Sequence, residues 1–572
     1  MEIFKFRKEK IFTTGFIFFG LLAVLFSCSG NKETNHSKKI THESLTKLIK
    51  TTLDTLDVRR LIKDPDEKDH LSQEIKRFYR IRKYQPAWVE ASEWRPQSDS
   101  LLLAIRDSEK LGYRMDDYDF TEIERLRQQA YSGTMDSSAA APMVDLDLRM
   151  TTAYFTYASH LYHGRVDATQ IDTTWFIHPE HRGLAIRLAF ALDDNRVKNA
   201  LFDLMPDDYQ FKMLSSYLRE YQATAEAGGF PLIISDKVIE KGDTSEAVKQ
   251  LRQRLYLSGD ISGLQLMLAD SNVYNEQVES ALQNFQQRHG LTADGKVGPS
   301  TLEMLNKPVE HWIQIIEINL ERLRQIPKVD SGKYIEVNIP DYSLTVYKDN
   351  KIALKMPVII GRAYDTNTPV FFDSLEYIVF SPTWTVPLKI AREEFLPKLK
   401  KDSTYISRNH YRIYDNWDPD AEPLQATKIN WKEVEPSDFN YRIVQQPGEF
   451  NALGSIKFIF PNNLSIYLHD TPADYLFKRD ERDFSHGCIR VEKPVKLAEY
   501  LLADNSKWNP EKIREYMHKD EPVNVHLPEK IPVHIIYQTA WVNENGILNF
   551  REDIYGHDKK QIEALEQKEK LL

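Results

Sequence analysis

The pattern of apolar residues changes near residue 333, and this change limits the folds open to the chain. From about residue 45 onward, apolar residues recur at helical spacing, as at Leu102, Ile105 and Leu111. After the change they lie in short runs rich in Val, Ile, Tyr and Phe, separated by Asp, Asn, Gly and Pro, which is typical of strands. Because 572 residues are too many for one core, we predict a multidomain α+β protein, helical first and strand-rich afterwards.

The helical part divides into units that we predict as a scaffold domain (51–237), a small separate unit (238–306) and a linking helix (307–330). Within the small unit, apolar residues mark one face of each of two helices. Gly298 and Pro299 open a third helix, since Pro is favoured at the first helical position. The small unit is therefore predicted as a compact three-helix domain.

The strand-rich part (331–530) is interrupted at about 390–442 by a charged segment with weak helical character. Insertions of this length inside a compact domain are usually functional, so we predict a lid over a site. The remaining residues (531–572) form a C-terminal extension. Its charged final run, 558–572, is expected to be a solvated helix.

The first 28 residues have the features of an export signal. Basic residues precede an apolar run, 11–26, that ends in Leu-Phe-Ser before Cys28. As a helix this run would be ~24 Å long, shorter than the ~30 Å hydrocarbon core of a bilayer. The end of the run looks like a bacterial lipobox, so we expect cleavage before Cys28, lipidation of its thiol, and a polar tether over 29–50. The alternative is an uncleaved signal anchor.

Charge and cysteine content narrow the function classes. The formal net charge is −10, and basic and acidic residues are interspersed along the chain. The chain therefore lacks the clustered basic residues that are typical of a nucleic-acid-binding protein. The chain has two cysteines, and export would place them in an oxidising compartment where cysteines usually pair. If Cys28 carries lipid, Cys488 has no partner in the chain. Composition alone leaves Cys488 a reactive thiol, a cysteine paired with another molecule, or an inert buried residue.

The residues near Cys488 favour the reactive thiol. A nucleophilic cysteine needs a base, a group that orients the base, and N–H donors for the oxyanion. His469 ends a predicted strand 19 residues before Cys488, and Gly487 allows a tight turn. We expect the N–H groups of Gly487 and Cys488 to face a bound carbonyl. We also expect a neighbouring imidazolium to lower the pKa of the thiol.

The motif around these residues resembles the active-site signature of the YkuD-type L,D-transpeptidases. It consists of His469 followed by Ser485-His486-Gly487-Cys488-Ile489-Arg490-Val491. Segments 358–371 and 381–387 are similar to that family's strands before the active site. The helical first half and the interrupted strand-rich domain resemble its large periplasmic branch, the murein L,D-transpeptidases of the YcbB kind. The resemblance spans about residues 50–530.

The small unit, in turn, resembles a peptidoglycan-binding domain of the small helical type. The matching positions include Ala281-Leu282, Phe285-Gln286, His289-Gly290-Leu291 and Asp294-Gly295. The alternative is a spacer that keeps this fold without binding glycan.

The resemblance implies a β-sandwich-like catalytic domain and assigns the main roles. Cys488 is the nucleophile and His469 the general acid/base. The backbone carbonyl of Asp470 would orient the imidazole, whereas the generic Cys-His-Asp triad would use the Asp470 side chain.

The roles of the neighbouring residues stay open. His486 is a second acid/base or oxyanion-side donor, or it holds the loop. Ser485 is expected to line the site and to hydrogen-bond on the thiolate side. Arg490 binds a substrate carboxylate or forms an internal ion pair. Tyr467 and Trp384 edge the substrate pocket or belong to the core.

The implied reaction is acyl transfer between peptidoglycan stem peptides, with no metal or organic cofactor. A tetrapeptide stem would lose its terminal D-Ala to form a thioester, and an amine of a second stem would then form a 3→3 cross-link. The alternatives are an L,D-carboxypeptidase that gives the thioester to water and a non-catalytic peptidoglycan-binding lipoprotein. Either way we expect a lipid-anchored, periplasm-facing protein of the cell envelope, with the choice of membrane open.

Overall fold

The computed structural model describes residues 39–571 apart from 92, 132–138, 179–182, 265–271, 330 and 364–365. The predicted signal and Cys28 lie outside the described residues. Over the described ranges, no helix is long and apolar enough to cross a membrane. The predicted tether, 29–50, extends too far toward the C-terminus. A helix begins at His42, where the Thr41 side chain caps it, and this helix buries Leu45 and Ile49.

The helices before residue 209 pack around one core, as the apolar spacing predicted. Helix α2 buries Leu71, Ile75 and Phe78 on one face, whereas α5 is buried on nearly every side and runs through the middle of the domain. These helices are α1 (His42–Thr55), α2 (Lys68–Ile81), α3 (Pro96–Arg106), α4 (Phe120–Tyr131), α5 (Ala140–His163), α6 (Leu184–Asp193) and α7 (Val197–Phe202).

The small unit has its own core, built from three helices in its described part. Gly290 follows the second of these helices with φ +70°, a left-handed conformation that favours glycine and ends the helix. Pro299 opens the third, as predicted. The helices are α9 (Glu246–Leu257), α10 (Glu276–Arg288) and α11 (Pro299–Leu305).

A further layer joins distant parts of the chain. Helices α8 (Tyr209–Glu226) and α12 (Val309–Leu323) share a core with the hairpin of β13 (Ala540–Val542) and β14 (Leu548–Phe550). The C-terminal extension is therefore part of the folded body.

The expectation of a solvated final helix is wrong. Helix α18 (His557–Leu571) buries one face. Near its end, Lys568 Nζ lies 2.8 Å from Asp64 and 2.9 Å from Asp66. Charged side chains can be buried when they are paired, and the partners here are some 500 residues earlier in the sequence, beyond the reach of a local pattern.

The second half of the chain is strand-rich, as predicted. The main sheet has the strand order β10-β3-β11-β9-β8-β4-β12-β1-β2, and β2 also pairs with β3, so the sheet closes on itself around one core. Helices α16 (Pro494–Leu502) and α17 (Pro510–Tyr516) contribute to this core. The strands are β1 (Lys333–Asn338), β2 (Ser343–Lys348), β3 (Lys351–Gly361), β4 (Phe371–Phe380), β8 (Ile456–Ile459), β9 (Leu468–His469), β10 (Asp483–Ser485), β11 (Ile489–Val491) and β12 (Val523–Ile536).

Strand β12 was not expected from the sequence. Its segment contains Pro528 and Pro532, and proline cannot donate to a sheet ladder. The structure accommodates the first proline in a register shift between His526 and Ile531, where the pairing with β4 is interrupted. The strand runs on beyond residue 530, the predicted end of the domain.

The insertion is a small folded unit with its own core, which includes Phe395, Ile413 and Trp431. We predicted only weak helical character, but β6 (Tyr411–Tyr414) and β7 (Arg442–Gln445) form a sheet with β5 (Trp384–Thr385). These strands are too short for a clear alternating pattern. The helical segments are α13 (Leu388–Ile390), a π-helical stretch (Ala391–Phe395), α14 (Leu396–Lys401) and α15 (Tyr405–Arg408).

Short 3₁₀ turns complete the secondary structure. They are Val58–Leu61, Asp107–Leu111, Met115–Tyr118, Ala168–Gln170, Ala426–Lys428, Trp431–Glu433 and Asp474–Lys478.

Candidate active site

Strands β9 and β11 bring the segments of His469 and Cys488 side by side. The two strands are parallel neighbours, with Leu468 opposite Ile489 and His469 opposite Arg490. Leu468 and Ile489 are fully buried in the core of the sheet. Because side chains alternate along a strand, His469 and Arg490 project from the opposite face of the sheet. Tyr467 and Cys488, which directly precede the two strands, project from that same face.

Lys457 joins this face from the next strand. Strand β8 runs antiparallel to β9 with Lys457 opposite His469, and its neighbours Ile456 and Phe458 point into the core. The ammonium group lies 4.0 Å from the centroid of the Tyr467 ring. Sequence analysis missed Lys457; the available signal was one lysine at an alternate position of an otherwise apolar strand.

The turn before Cys488 is braced by hydrogen bonds. Gly487 has φ +107°, a conformation that side chains rarely adopt, and its N–H donates to Ser485 Oγ over 3.1 Å. The Ser485 hydroxyl in turn donates to the Cys488 carbonyl over 2.5 Å, and Thr368 donates to the Gly487 carbonyl over 2.8 Å. Ser485 therefore contacts the Cys488 backbone and not the sulfur side, and the Gly487 N–H is already used, contrary to our expectations.

The thiol of Cys488 is free and half-buried. Its Sγ lies 3.6 Å from the Ser465 carbonyl oxygen, the acceptor for its proton. Burial raises the pKa of the Cys488 thiol, while hydrogen bonds from the backbone and side chain of Tyr467 act against this rise. The charges on Lys457 and Arg490 also act against it.

The imidazole of His469 is buried and oriented by the chain itself. Nδ1 lies 2.6 Å from the Asp470 carbonyl oxygen. Because a carbonyl can only accept, Nδ1 carries the proton and Nε2 is left as the basic nitrogen. Burial, with Arg490 and Lys457, lowers the pKa of His469 to about 3, although the hydrogen bond to Asp470 opposes this shift.

These pKa directions correct one expectation from the sequence. We predicted an imidazolium that lowers the pKa of the thiol. In the structure burial raises the pKa of Cys488 and lowers that of His469, so the resting pair is a neutral thiol and a neutral imidazole.

The side chain of Asp470 is committed elsewhere. Its two carboxylate oxygens accept the backbone N–H groups of Ser455 and Thr471, each over 2.7 Å. The carboxylate also fills the space beside Gly454, where an added Cβ would lie 2.3 Å from Asp470 Cγ. The backbone carbonyl and not the side chain of Asp470 therefore contacts the imidazole.

Arg490 lies beside His469, on the neighbouring strand β11. Within the described part of the chain, no carboxylate lies within ion-pair distance of its guanidinium, and its buried Nε makes no hydrogen bond. Of the two readings left open by the sequence, an internal ion pair thus has no support in the described residues.

His486 and Trp384 connect to the insertion. His486 is exposed, and its Nε2 lies 2.7 Å from Oε1 of Glu394 in the π-helical stretch. Trp384 packs in the core of the insertion, 6.4 Å between ring centroids from both Phe395 and Tyr411. The aromatic contacts of Trp384 thus lie within the insertion.

Among the described residues, no group of three or more His, Cys, Asp or Glu side chains is arranged to hold a metal ion.

Comparison with known families agrees with this architecture. Residues 332–530 match the family described as the L,D-transpeptidase catalytic domain of the YkuD type, and residues 73–218 match a scaffold domain. Residues 244–305 match the family described as "Putative peptidoglycan binding domain". The site described above thus lies in an L,D-transpeptidase catalytic domain.

A curated protein is similar to part of the chain. The chain is 37% identical over 247 residues to a Haemophilus influenzae protein named "Putative L,D-transpeptidase". This match covers 43% of the present chain and 48% of the relative, so the chain spans about half the length of that protein. The chain carries a catalytic domain of the YkuD L,D-transpeptidase family together with a peptidoglycan-binding domain.

Solved structures are more distant. An L,D-transpeptidase from Stackebrandtia nassauensis has 15% identity and a TM-score of 0.20, with coverage of 54% of this chain and 96% of that one. An L,D-transpeptidase from Mycobacterium smegmatis has 14% identity and a TM-score of 0.16, with coverage of 36% and 59%.

Proposed function

We propose that this protein is a peptidoglycan L,D-transpeptidase that forms 3→3 cross-links through a thioester on Cys488. The observation that carries the proposal is the free thiol of Cys488 immediately before β11, the strand beside that of His469. Nδ1 of His469 donates to the Asp470 carbonyl over 2.6 Å. That hydrogen bond leaves Nε2 as a base on the face of the sheet that carries the thiol.

The first step forms the acyl-enzyme. His469 Nε2 takes the proton of the Cys488 thiol, and the sulfur attacks the carbonyl of the third stem residue. The Tyr467 hydroxyl, which hydrogen-bonds the sulfur in the resting site, donates to the oxyanion that forms. The C–N bond to D-Ala then breaks, and the Nε2 proton passes to its amine, leaving a thioester and a neutral imidazole.

The second step transfers the acyl group. The side-chain amine of the third residue of another stem attacks the thioester carbonyl, and His469 Nε2 accepts a proton from that amine. The C–S bond breaks, the thiolate regains its proton from the imidazolium, and a new amide joins the two stems. The guanidinium of Arg490, which forms no ion pair among the described residues, is suited to bind a carboxylate of the stem, because Arg matches carboxylate geometry.

We propose that the insertion acts as a lid on this site. Its Glu394 contacts His486, two residues from the nucleophile. A lid that excludes water would favour the amine over hydrolysis of the thioester.

Hydrolysis is the second candidate outcome. Cys488 is only half-buried in this structure, so water can reach a thioester formed there. The same residues would then act as an L,D-carboxypeptidase and release the tripeptide. A purely non-catalytic wall-binding role has less support, because the thiol, the imidazole and the orienting carbonyl are all in place.

We propose a location in the cell envelope, where peptidoglycan is found. The small unit (238–306) would hold the enzyme on the wall, and lipid on Cys28 would hold it on a membrane facing the periplasm. Donor and acceptor stem peptides are the partners that this chemistry requires.

The test is mass spectrometry of products formed from a disaccharide-tetrapeptide by the purified full chain, Cys488→Ala and His469→Ala. Loss of D-Ala with a 3→3 dimer, abolished in both variants, would support the transpeptidase. Tripeptide without dimer would support the carboxypeptidase. Absence of turnover by the unaltered protein, with peptidoglycan binding retained, would contradict both enzymatic proposals.

A further inference from the structure

Lys457 is a half-buried cation in the strand-rich domain. It lies on the site face of β8, opposite His469. In the described ranges, no carboxylate lies within ion-pair distance of its ammonium group. Removing a charge from water is costly unless something offsets it. The Tyr467 ring, whose centroid lies 4.0 Å from the ammonium nitrogen, supplies one such contact, because a cation over an aromatic face is attracted to it.

The charged and titratable groups around the sulfur come from three neighbouring strands. Lys457 lies on β8, His469 on β9 and Arg490 on β11, while Tyr467 and Cys488 directly precede β9 and β11. None of these groups is acidic at neutral pH. These strands therefore present positive charge to the sulfur, whereas the Glu394 carboxylate of the insertion lies against His486, two residues from Cys488.

The aliphatic part of Lys457 has an ordinary packing role beside the Tyr467 ring. Packing alone would be met by an apolar residue of the same length. It does not account for a positive charge that burial disfavours.

We propose that Lys457 is a positioning residue of the acyl transfer, and that its ammonium group stabilises the thiolate form of Cys488. This inference rests on the proposed function, because it gives Lys457 a task in the thioester reaction. The ammonium group acts through the nucleophile and its Tyr467 hydrogen-bond donor, and need not touch the substrate.

The charges on Lys457 and Cys488 affect each other in the direction that this role requires. Burial lowers the pKa of Lys457, and negative charge on Cys488 opposes that lowering. Lys457 in turn acts to lower the pKa of the thiol and of His469. It therefore favours the thiolate and makes the His469 imidazolium a stronger acid. The first effect promotes attack, and the second promotes return of the proton to the departing D-Ala amine.

The test is the rate of Cys488 alkylation by iodoacetamide between pH 6 and 11, read at the Cys488 peptide by mass spectrometry. Lys457→Met keeps the length of the side chain and removes its charge. We expect its alkylation profile to move up by about one pH unit, equivalent to about tenfold slower alkylation below the midpoint. Lys457→Arg should keep the original profile. The matched control is Lys351→Met, which removes an exposed lysine from the same sheet.

The outcomes separate this inference from the proposed function, because alkylation needs no peptidoglycan substrate. An unchanged profile in Lys457→Met, with folding verified by circular dichroism, would overturn the role of Lys457 whether or not cross-links form. A shifted profile restored by Lys457→Arg would support it even if the unaltered enzyme only hydrolyses its substrate. If Lys457→Met fails to fold, Lys457→Gln provides the same comparison with a polar neutral side chain.

Discussion

The Nε2 atom of His486 lies 2.7 Å from the Oε1 atom of Glu394, and this contact joins the loop of the nucleophile to the insertion. Both side chains are partly exposed, with 30% and 40% of their surface accessible. An exposed pair of this kind contributes only about 0–1 kcal/mol. The contact is therefore weak enough to break when substrate enters and when product leaves.

Glu394→Ala is expected to loosen the insertion and to let more water reach the thioester. We predict a several-fold rise in the ratio of tripeptide to cross-linked dimer, with thiol alkylation at Cys488 unaffected or faster. Product ratios from mass spectrometry test this, with Glu393→Ala as the control because Glu393 is its exposed neighbour. An equal ratio in the two variants would show that the contact does not govern water access.

Asp470→Asn distinguishes a backbone orienter from a side-chain orienter. The carboxylate accepts two backbone N–H groups, so the amide should lower the free energy of unfolding by about 1–3 kcal/mol. We predict that kcat changes by less than about threefold, because the imidazole is bonded to the backbone carbonyl. A loss of about 10⁴-fold, typical of a triad aspartate, would contradict this, and Asp474→Asn is an exposed control.

Gly487→Ala should reduce activity more than stability. The position has φ +107°, so a side chain introduces strain of about 1–3 kcal/mol even though an added Cβ would meet its nearest atom at an ordinary 3.4 Å. Relief of that strain would displace the adjacent thiol, and a small misplacement can cost about 10²-fold in rate. Measurements of kcat/KM and of denaturant unfolding test this, with Gly183→Ala as a control in a scaffold turn at φ −68°. Equal losses of activity in Gly487→Ala and Gly183→Ala would contradict a specific role for the backbone conformation of Gly487.

The buried imidazole of His469 should make stability depend on pH. Its pKa is about 3 in the folded protein against 6.5 for an ordinary histidine, so the unfolded chain binds more protons between these values. Stability contributed by the neutral imidazole is present above pH 6.5 and declines as the pH falls toward 3, by up to about 5 kcal/mol. The free energy of unfolding, measured with denaturant at pH 7.5 and at pH 5, should differ less between the two pH values for His469→Gln than for the unaltered protein. An identical difference would mean that His469 is not a source of this dependence.

The sequence predicted those parts of the molecule that depend on local patterns. The helical cores follow from apolar spacing, and the motif from His469 to Cys488 pointed to two segments of the chain that lie side by side in the sheet. Strand β12 was missed because its prolines oppose the local strand signal. Lys457 was missed for another reason: its position beside Tyr467 depends on the register of β8 against β9, which no local pattern contains.

The burial of α18 also has a consequence for the order in which the protein folds. Lys568 pairs with Asp64 and Asp66 near the beginning of the scaffold, and Asp64 is fully buried. The scaffold helices are synthesised first, but Asp64 gains Lys568 as its partner only after α18 has been synthesised. The scaffold therefore cannot form all of its contacts until the residues of the main sheet have also been synthesised. Completion of the scaffold fold thus depends on synthesis of the second half of the chain.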